Sequence, residues 1–323
     1  MSKTYKATGI NLKSAPMGES DRLLTILTPE YGLIRAIAPG ARKHQSSLRG
    51  RSGLFVVNQL LIVEGRSLDK IIQAETLDSY TGLSQDLRKL TASQYLAELV
   101  LCQAMTEQPQ EALFEALRSH LSQIEHHSPA ITLACLNQAT FHLLTLAGLT
   151  PRLDSCCLTQ EVLVPDFDNP DWRVGFNPKA GGTVKLSEKD REILKKASHS
   201  RLGSIREESQ SPNLPPAYRL AEQPSDRRLS YRSPQRGDVP LVLTALELSL
   251  MRQLMNPDLI QPDGTFSFRT GGSLSSPLTE EIWLAVERVL RKYVQYHFER
   301  PIRSATLIDS CFTPTPLLSS LES

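Results

Sequence analysis

The 323-residue sequence predicts an α+β protein, with a small N-terminal β-barrel of the oligonucleotide-binding kind followed by a helical bundle domain. Two changes of pattern carry that expectation. Residues 1–80 are short runs rich in Leu, Ile, Val and Thr between turn signals, and from Leu83 onward the apolar spacing lengthens to the helical period. A third observation bears on use: between Tyr31 and Val63 stand Arg35, Arg42, Lys43, Arg49 and Arg51, with no acid among them.

The runs Tyr5–Leu12, Arg22–Thr28, Leu33–Ala38, Leu54–Val63 and Lys70–Leu77 read as five strands. Ala15-Pro-Met-Gly18, Pro29-Glu-Tyr-Gly32, Pro39-Gly40 and Glu64-Gly65 punctuate them. Residues 1–80 are therefore taken as one barrel domain, with Pro39–Ser52 as a long loop whose cations can follow a phosphate backbone. Residues 81–150 form a helical domain. Its apolar stripes are Leu96, Leu99 and Val100; Leu113, Phe114, Leu117, Leu121 and Ile124; and Ile131, Ala134, Phe141, Leu144 and Leu146. Pro129 near the start and Gly148 past the end frame the third helix. These stripes are bundle core and carry no site.

Residues 151–186 are irregular, and Ser187 to Asp190 opens a short helix over 187–197 with a capping-box pattern. Residues 198–240, rich in Ser, Pro, Gln and Arg, read as a disordered insertion. Over 241–323, Leu241–Leu254 and Thr279–Phe298 read as C-terminal helices that complete the helical domain.

The net charge of +1 conceals an uneven distribution. Residues 1–80 carry 11 Lys/Arg against 7 Asp/Glu, whereas residues 81–150 carry 3 against 6. A local positive stripe suits a polyanion, and a solvated arginine-rich loop has the same composition. The N-terminus lacks an apolar signal region, and the longest apolar stretch is broken by Asn137, Gln138 and His142, so neither export nor a membrane span is expected. Five cysteines without a framework pattern fit a reducing cytoplasm. Neither a dinucleotide nor a P-loop glycine motif is present, and no carboxylate cluster suited to metal-assisted hydrolysis stands in residues 1–80. The expectation is a protein that is not an enzyme and takes no cofactor.

Several segments resemble the RecO family of bacterial recombination mediators. They are Gly9-Ile10 with Gly18-Glu-Ser-Asp-Arg-Leu-Leu-Thr-Ile-Leu-Thr28, Tyr31-Gly-Leu33 through Ala38-Pro-Gly-Ala-Arg-Lys43, and Tyr80-Thr-Gly-Leu-Ser-Gln-Asp-Leu87 with Tyr95-Leu-Ala-Glu-Leu99. Leu146-Ala-Gly-Leu-Thr-Pro151 with Cys156, then Phe176-Asn-Pro-Lys-Ala-Gly-Gly182, is similar to the family's zinc-ribbon-like segment, and Tyr293 to Ser304 to its C-terminal helix end. The likeness spans the chain except residues 198–240 and the loop near Pro262–Gly272.

That resemblance implies a cytoplasmic, nucleoid-associated mediator that binds single- and double-stranded DNA, anneals complementary strands and assists recombinase loading. Its partners would be RecR, single-strand-binding protein and, indirectly, RecA. The DNA contacts it implies are Arg22, Arg35, Arg42, Lys43, Arg49 and Arg51, with Arg66 and Lys70 at the next hairpin. With Tyr31 and Phe55 the nearest aromatics, binding is expected to be mainly electrostatic, with little base stacking. The apolar, acidic C-terminal tail of single-strand-binding protein would dock on the helical domain near Arg88, Arg118 and Arg152. One departure is plain. Where the family often holds zinc with two Cys-x-x-Cys pairs, this chain keeps Cys156, has Thr159 at its partner's place and Lys185 near a third position. The zinc-ribbon-like segment is therefore expected to have lost its cysteines and its metal. The competing reading is an interaction scaffold whose barrel binds protein; steep salt dependence separates the two.

Overall fold

The computed structural model describes residues 3–188, 190, 241–268 and 278–312. Strands β1 (Thr4–Met17), β2 (Asp21–Thr28), β3 (Gly32–Ala38), β4 (Val56–Val63) and β5 (Asp69–Ser79) close into a barrel in the order β1-β2-β3-β5-β4, with β4 returning to β1. All neighbours are antiparallel except β3 and β5. Alternation explains the closure: Leu24 and Ile26 of β2, Ala36 and Ala38 of β3, Leu60 and Ile62 of β4, and Ile71 and Ala74 of β5 share one buried cluster. The alanines keep the bore narrow enough for side chains alone to fill it. A single-turn helix, α1 (Leu48–Arg51), sends Leu48 into that cluster.

Strand β1 runs past Ala15 and Pro16, which the sequence reads as a turn; the chain reverses at Gly18–Ser20 instead. The reason lies in pairing. β4 covers β1 only from Thr4 to Ile10, so Pro16, opposite Arg22, lies where one edge of β1 has no neighbour. A proline costs no ladder hydrogen bond on such an edge.

The other face of the barrel packs on helices α2 (Leu87–Gln103), α3 (Glu111–His126) and α4 (Thr132–Leu146). Ile10, Leu12, Leu27, Phe55, Val57 and Tyr80 belong to the same buried cluster as Tyr95, Phe114, Leu117 and Phe141. Phe55 is therefore core, not an aromatic of the loop surface. Gly32 is fixed by this contact: it takes φ +66°, and a Cβ there would lie 2.2 Å from the Met105 carbonyl oxygen.

β6 (Arg173–Asn177) and β7 (Gly182–Val184) form a small sheet in the order β7-β6-β8, its third strand being β8 (Leu241–Thr244). Here the sequence expectation of a helix from Leu241 is corrected. Leu241–Thr244 pairs with β6, and α5 (Ala245–Gln253) starts only at the capping box of Thr244 and Glu247. A β-prone Leu-Val-Leu-Thr run directly before a cap gains more from a waiting strand than from another helical turn. Helices α6 (Glu280–Phe298) and α7 (Ala305–Phe312) complete the bundle, with α6 on α4 and α7 on α2. Ser187 and Asp190 exchange the expected capping bonds, while the remainder of the 187–197 helix and the 198–240 insertion lie outside the described residues. Among the described residues no helix is long and apolar enough to cross a membrane.

Candidate nucleic-acid interface

The loop between β3 and α1 is held against the β1–β2 turn by its backbone. The Arg42 amide donates to the Ser20 carbonyl at 2.8 Å and its guanidinium to the Gly18 carbonyl at 2.7 Å. The Gly40 amide donates to Asp21 Oδ1 at 2.8 Å. That hydrogen bond, with a second from Ser20, holds the Asp21 carboxyl below the usual carboxylate range, helped by the charges of Lys43 and Lys70. Arg42, Lys43 and Lys70 are all exposed. Arg22, half-buried at the barrel rim, donates to Ser14 Oγ at 3.3 Å. The structure thus gathers Lys43 and Lys70 around one acid, with Arg42 bonded to the same turn at Gly18 and Ser20, which the acid-free reading of residues 31–63 could not show. Asp21 is absent from that stretch because it arrives from the preceding turn.

Two further cations lie on the outer face of the sheet. Thr25 pairs with Lys13 on one side and Arg35 on the other, so the two exposed charges flank it, roughly 10 Å apart across two strand spacings. In the next row Ala15, Leu23, Ile37 and Lys70 stand side by side. Lys13 was missed by sequence reasoning. A β-bulge between Asn11 and Lys13 breaks the alternation that would have assigned its face.

Arg49 and Arg51 sit in the last turn of α1. The Arg51 carbonyl accepts from Asn11 Nδ2 at 2.8 Å and Asn58 Nδ2 at 2.9 Å, and its guanidinium donates to the Ser47 carbonyl at 2.9 Å. Arg66 is exposed in the β4–β5 turn, which is closed by the Gly65 amide on Asp69. A shallow groove of about 590 Å³ lies beside Lys70, bordered by Pro39, Ser46, Ser47, Leu48 and Ile72. The exposed Tyr31 meets Tyr5 edge-on with ring centroids 4.9 Å apart, and the Tyr5 hydroxyl donates to Asp69. Burial, then that bond, pushes the Tyr5 phenol up.

The three cations assigned to a partner surface stand on different elements with different partners. Arg88 bonds Glu280 at 2.9 Å and lies over the Phe312 ring. Arg118 reaches Asp78 of β5 at 3.4 Å and Glu115 at 3.5 Å. Arg152, exposed, donates to Gln160 Oε1 at 2.8 Å.

Cys156 is buried, and its sulfur accepts from the Thr159 amide at 3.4 Å and the Lys185 amide at 3.2 Å. Burial opposes the thiolate, but hydrogen bonds from Thr159, Lys185 and Leu158 outweigh it and pull the thiol down to about 7. Among the described residues no three His, Cys, Asp or Glu side chains gather as a metal would need.

Family models and relatives give this geometry a context. A model described as "Recombination protein O N terminal" matches residues 1–80, and one described as "Recombination protein O C terminal" matches residues 84–215. A Nostoc sp. protein named "DNA repair protein RecO" is 51% identical over 322 residues, covering 97% of each chain. Proteins of the same name are 48% identical over 324 residues in Acaryochloris marina, with full coverage of both chains, and 38% identical over 319 residues in Synechococcus elongatus, with 99% of this chain and all of the relative covered.

Proposed function

The chain belongs to the recombination protein O family and thus serves DNA repair and recombination, and on that premise we propose that its barrel binds single- and double-stranded DNA as a non-enzymatic recombination mediator. The strand order β1-β2-β3-β5-β4, with only β3 and β5 parallel, supports assigning the barrel to the oligonucleotide-binding fold. The observation that carries the reading is the seating of the basic loop on the β1–β2 turn. It puts Arg42 and Lys43 beside Lys70, next to the sheet face that carries Lys13 and Arg35.

Such a surface recognises phosphates, not base edges. Each cation that neutralises a phosphate releases condensed counterions, which drives binding regardless of sequence. Bases left free of contact remain able to pair, and neutralised backbones approach each other more easily; both serve the annealing of complementary strands. Tyr31 alone offers an exposed ring for stacking among the aromatics near the loop, so the electrostatic part dominates. Assistance to recombinase loading with RecR, and through it to RecA, follows the family, as does docking of the tail of single-strand-binding protein. For that tail Arg152 is the freest of the three named cations, since Arg88 and Arg118 hold ion pairs. The segment 151–186 is read as a zinc ribbon without its metal: a structural zinc does not fit one sulfur flanked by Thr159 and Lys185, and backbone amides already satisfy that sulfur.

The test is an anisotropy titration of a labelled single-stranded oligonucleotide at two salt concentrations. Changing Arg42, Lys43, Arg49 and Arg51 together to Glu is expected to weaken binding at least a hundredfold and to lower the salt slope by ~0.7 for each lost phosphate contact. Wild-type affinity in that variant, with an unchanged melting temperature, places the DNA path elsewhere.

A further inference from the structure

A second face of the molecule is built for the opposite chemistry. After Pro151 the chain forms a hairpin in which Ser155 pairs with Val162, the Cys156 amide donates to the Glu161 carbonyl at 2.8 Å and the Leu163 amide to the Asp154 carbonyl at 3.0 Å. Arg252 of α5 fastens it from below, donating to the carbonyls of Leu153 at 2.8 Å and Leu163 at 2.7 Å. Leu163 packs on the core, so the hairpin has a defined inner side. On its outer side Leu158, Val162, Val164 and Phe167 remain 70%, 76%, 73% and 59% exposed. Scattered apolar residues on a surface need no explanation, but four large ones within ten positions of a pinned hairpin form a patch of the kind that marks a protein contact.

The charge around the patch selects its partner. Asp166, Asp168 and Asp171 are exposed, and none forms an ion pair among the described residues. Asp154 and Glu161 of the hairpin are paired with Arg252 at 3.4 Å and Lys185 at 2.9 Å, so the acidity beside the patch is that of Asp166, Asp168 and Asp171. A nucleic acid is repelled by such a face. A second copy docking symmetrically would set acid against acid, because a two-fold interface brings each patch onto itself. We propose that this hairpin is a docking site for a basic, apolar segment of a protein partner, whose aliphatic or aromatic side chains cover Val162, Val164 and Phe167 while its Lys or Arg residues meet Asp166 and Asp168.

The probe is a labelled fifteen-residue peptide alternating Leu or Phe with Lys or Arg, titrated against the full chain by anisotropy. A charge-reversed peptide and one with Ser in place of Leu and Phe serve as controls. Saturable binding is expected for the first peptide only. Val162→Ser with Phe167→Ser is expected to weaken it at least tenfold, and Asp166→Asn with Asp168→Asn to weaken it and flatten its salt dependence. All four positions are exposed, so the melting temperature should hold and isolates the binding effect. Equal binding of the charge-reversed peptide, or wild-type affinity in both variants, overturns the proposal. Two further outcomes also overturn it by assigning another occupant: a concentration-dependent dimer in sedimentation that Val162→Ser abolishes, or peptide binding that arises only when residues 198–240 are deleted.

Discussion

Asn11 shows how one buried amide places a charge on the far side of a loop. It is fully buried in β1, and its Nδ2 donates at 2.8 Å to both the Arg51 and Gly53 carbonyls. Its Oδ1 has no partner, so the residue is held there for its donor alone. Asn58 donates to the same Arg51 carbonyl, and Thr76 supports Asn58 at 3.2 Å. The end of α1 is thus tied to the barrel by side-chain amides where the ladder cannot reach it. Asn11→Ala leaves the Gly53 carbonyl without this bond and removes one of two from Arg51. A loss of about 1–3 kcal/mol in denaturant unfolding is expected, together with a few-fold loss of DNA affinity as Arg49 and Arg51 lose their fixed position. An unchanged denaturation midpoint would show that water replaces the amide without cost.

Helices α3 and α4 meet through a histidine pair, and this contact makes stability depend on pH. His120 Nε2 and His142 Nδ1 lie 2.9 Å apart, and His120 Nδ1 meets Gln123 Oε1 at 3.0 Å. Burial pulls the His120 pKa from 6.5 down to about 4, against the Gln123 bond, and the charge of a protonated His142 lowers it further. Burial lowers His142 as well. The unfolded chain therefore takes up a proton near pH 6.5 that the folded chain refuses until about pH 4. Stability is full above that window and is lost as the pH falls through it, by on the order of 3 kcal/mol for His120. Melting curves from pH 7 to 4.5 are expected to fall more steeply for the wild type than for His120→Gln; parallel curves would remove the pair from the acid response. Neither the pairing nor its partner was legible in the sequence, where His120 is one polar position on a helix face and His142 stands 22 residues away. Legibility followed range in this way throughout. The barrel strands could be read because each is a local β run between turn residues. β8 could not, because its four residues adjoin a helix and become a strand only when β6 is beside them. The cations of the loop were plain as a stripe, whereas Asp21 and Lys13 joined them through hydrogen bonding and strand register.

At the scale of the molecule, the barrel and the helices are not separable bodies joined by a linker. Ile10, Leu12, Leu27, Phe55, Val57 and Tyr80 leave the barrel wall to join the helical core, each more than nine-tenths buried. Backbone bonds cross the same boundary: the Leu33 amide to the Met105 carbonyl and the Gln110 amide to the Pro29 carbonyl, both at 2.8 Å. Glu125 of α3 accepts from the Gly82 amide at 2.6 Å, and Lys89 of α2 donates to the Glu125 carbonyl, so the exit of the barrel is clamped from both helices. Burial of a large apolar side chain is worth roughly 1.5–3 kcal/mol. Six of them across one boundary then amount to on the order of 10 kcal/mol, comparable with the whole stability of a typical domain. Neither part can lose the other and keep its margin. Heating is therefore expected to give one calorimetric transition, with the near-ultraviolet signal of the helical tryptophan Trp283 and the far-ultraviolet signal of the barrel falling together, and a fragment of residues 1–80 is expected to be largely unfolded under conditions where the full chain is native. Two resolved transitions, or a fragment that melts as high as the full chain, would show that the shared core contributes far less than its burial implies. The same shared core fixes the basic barrel face relative to helices α2, α3 and α4.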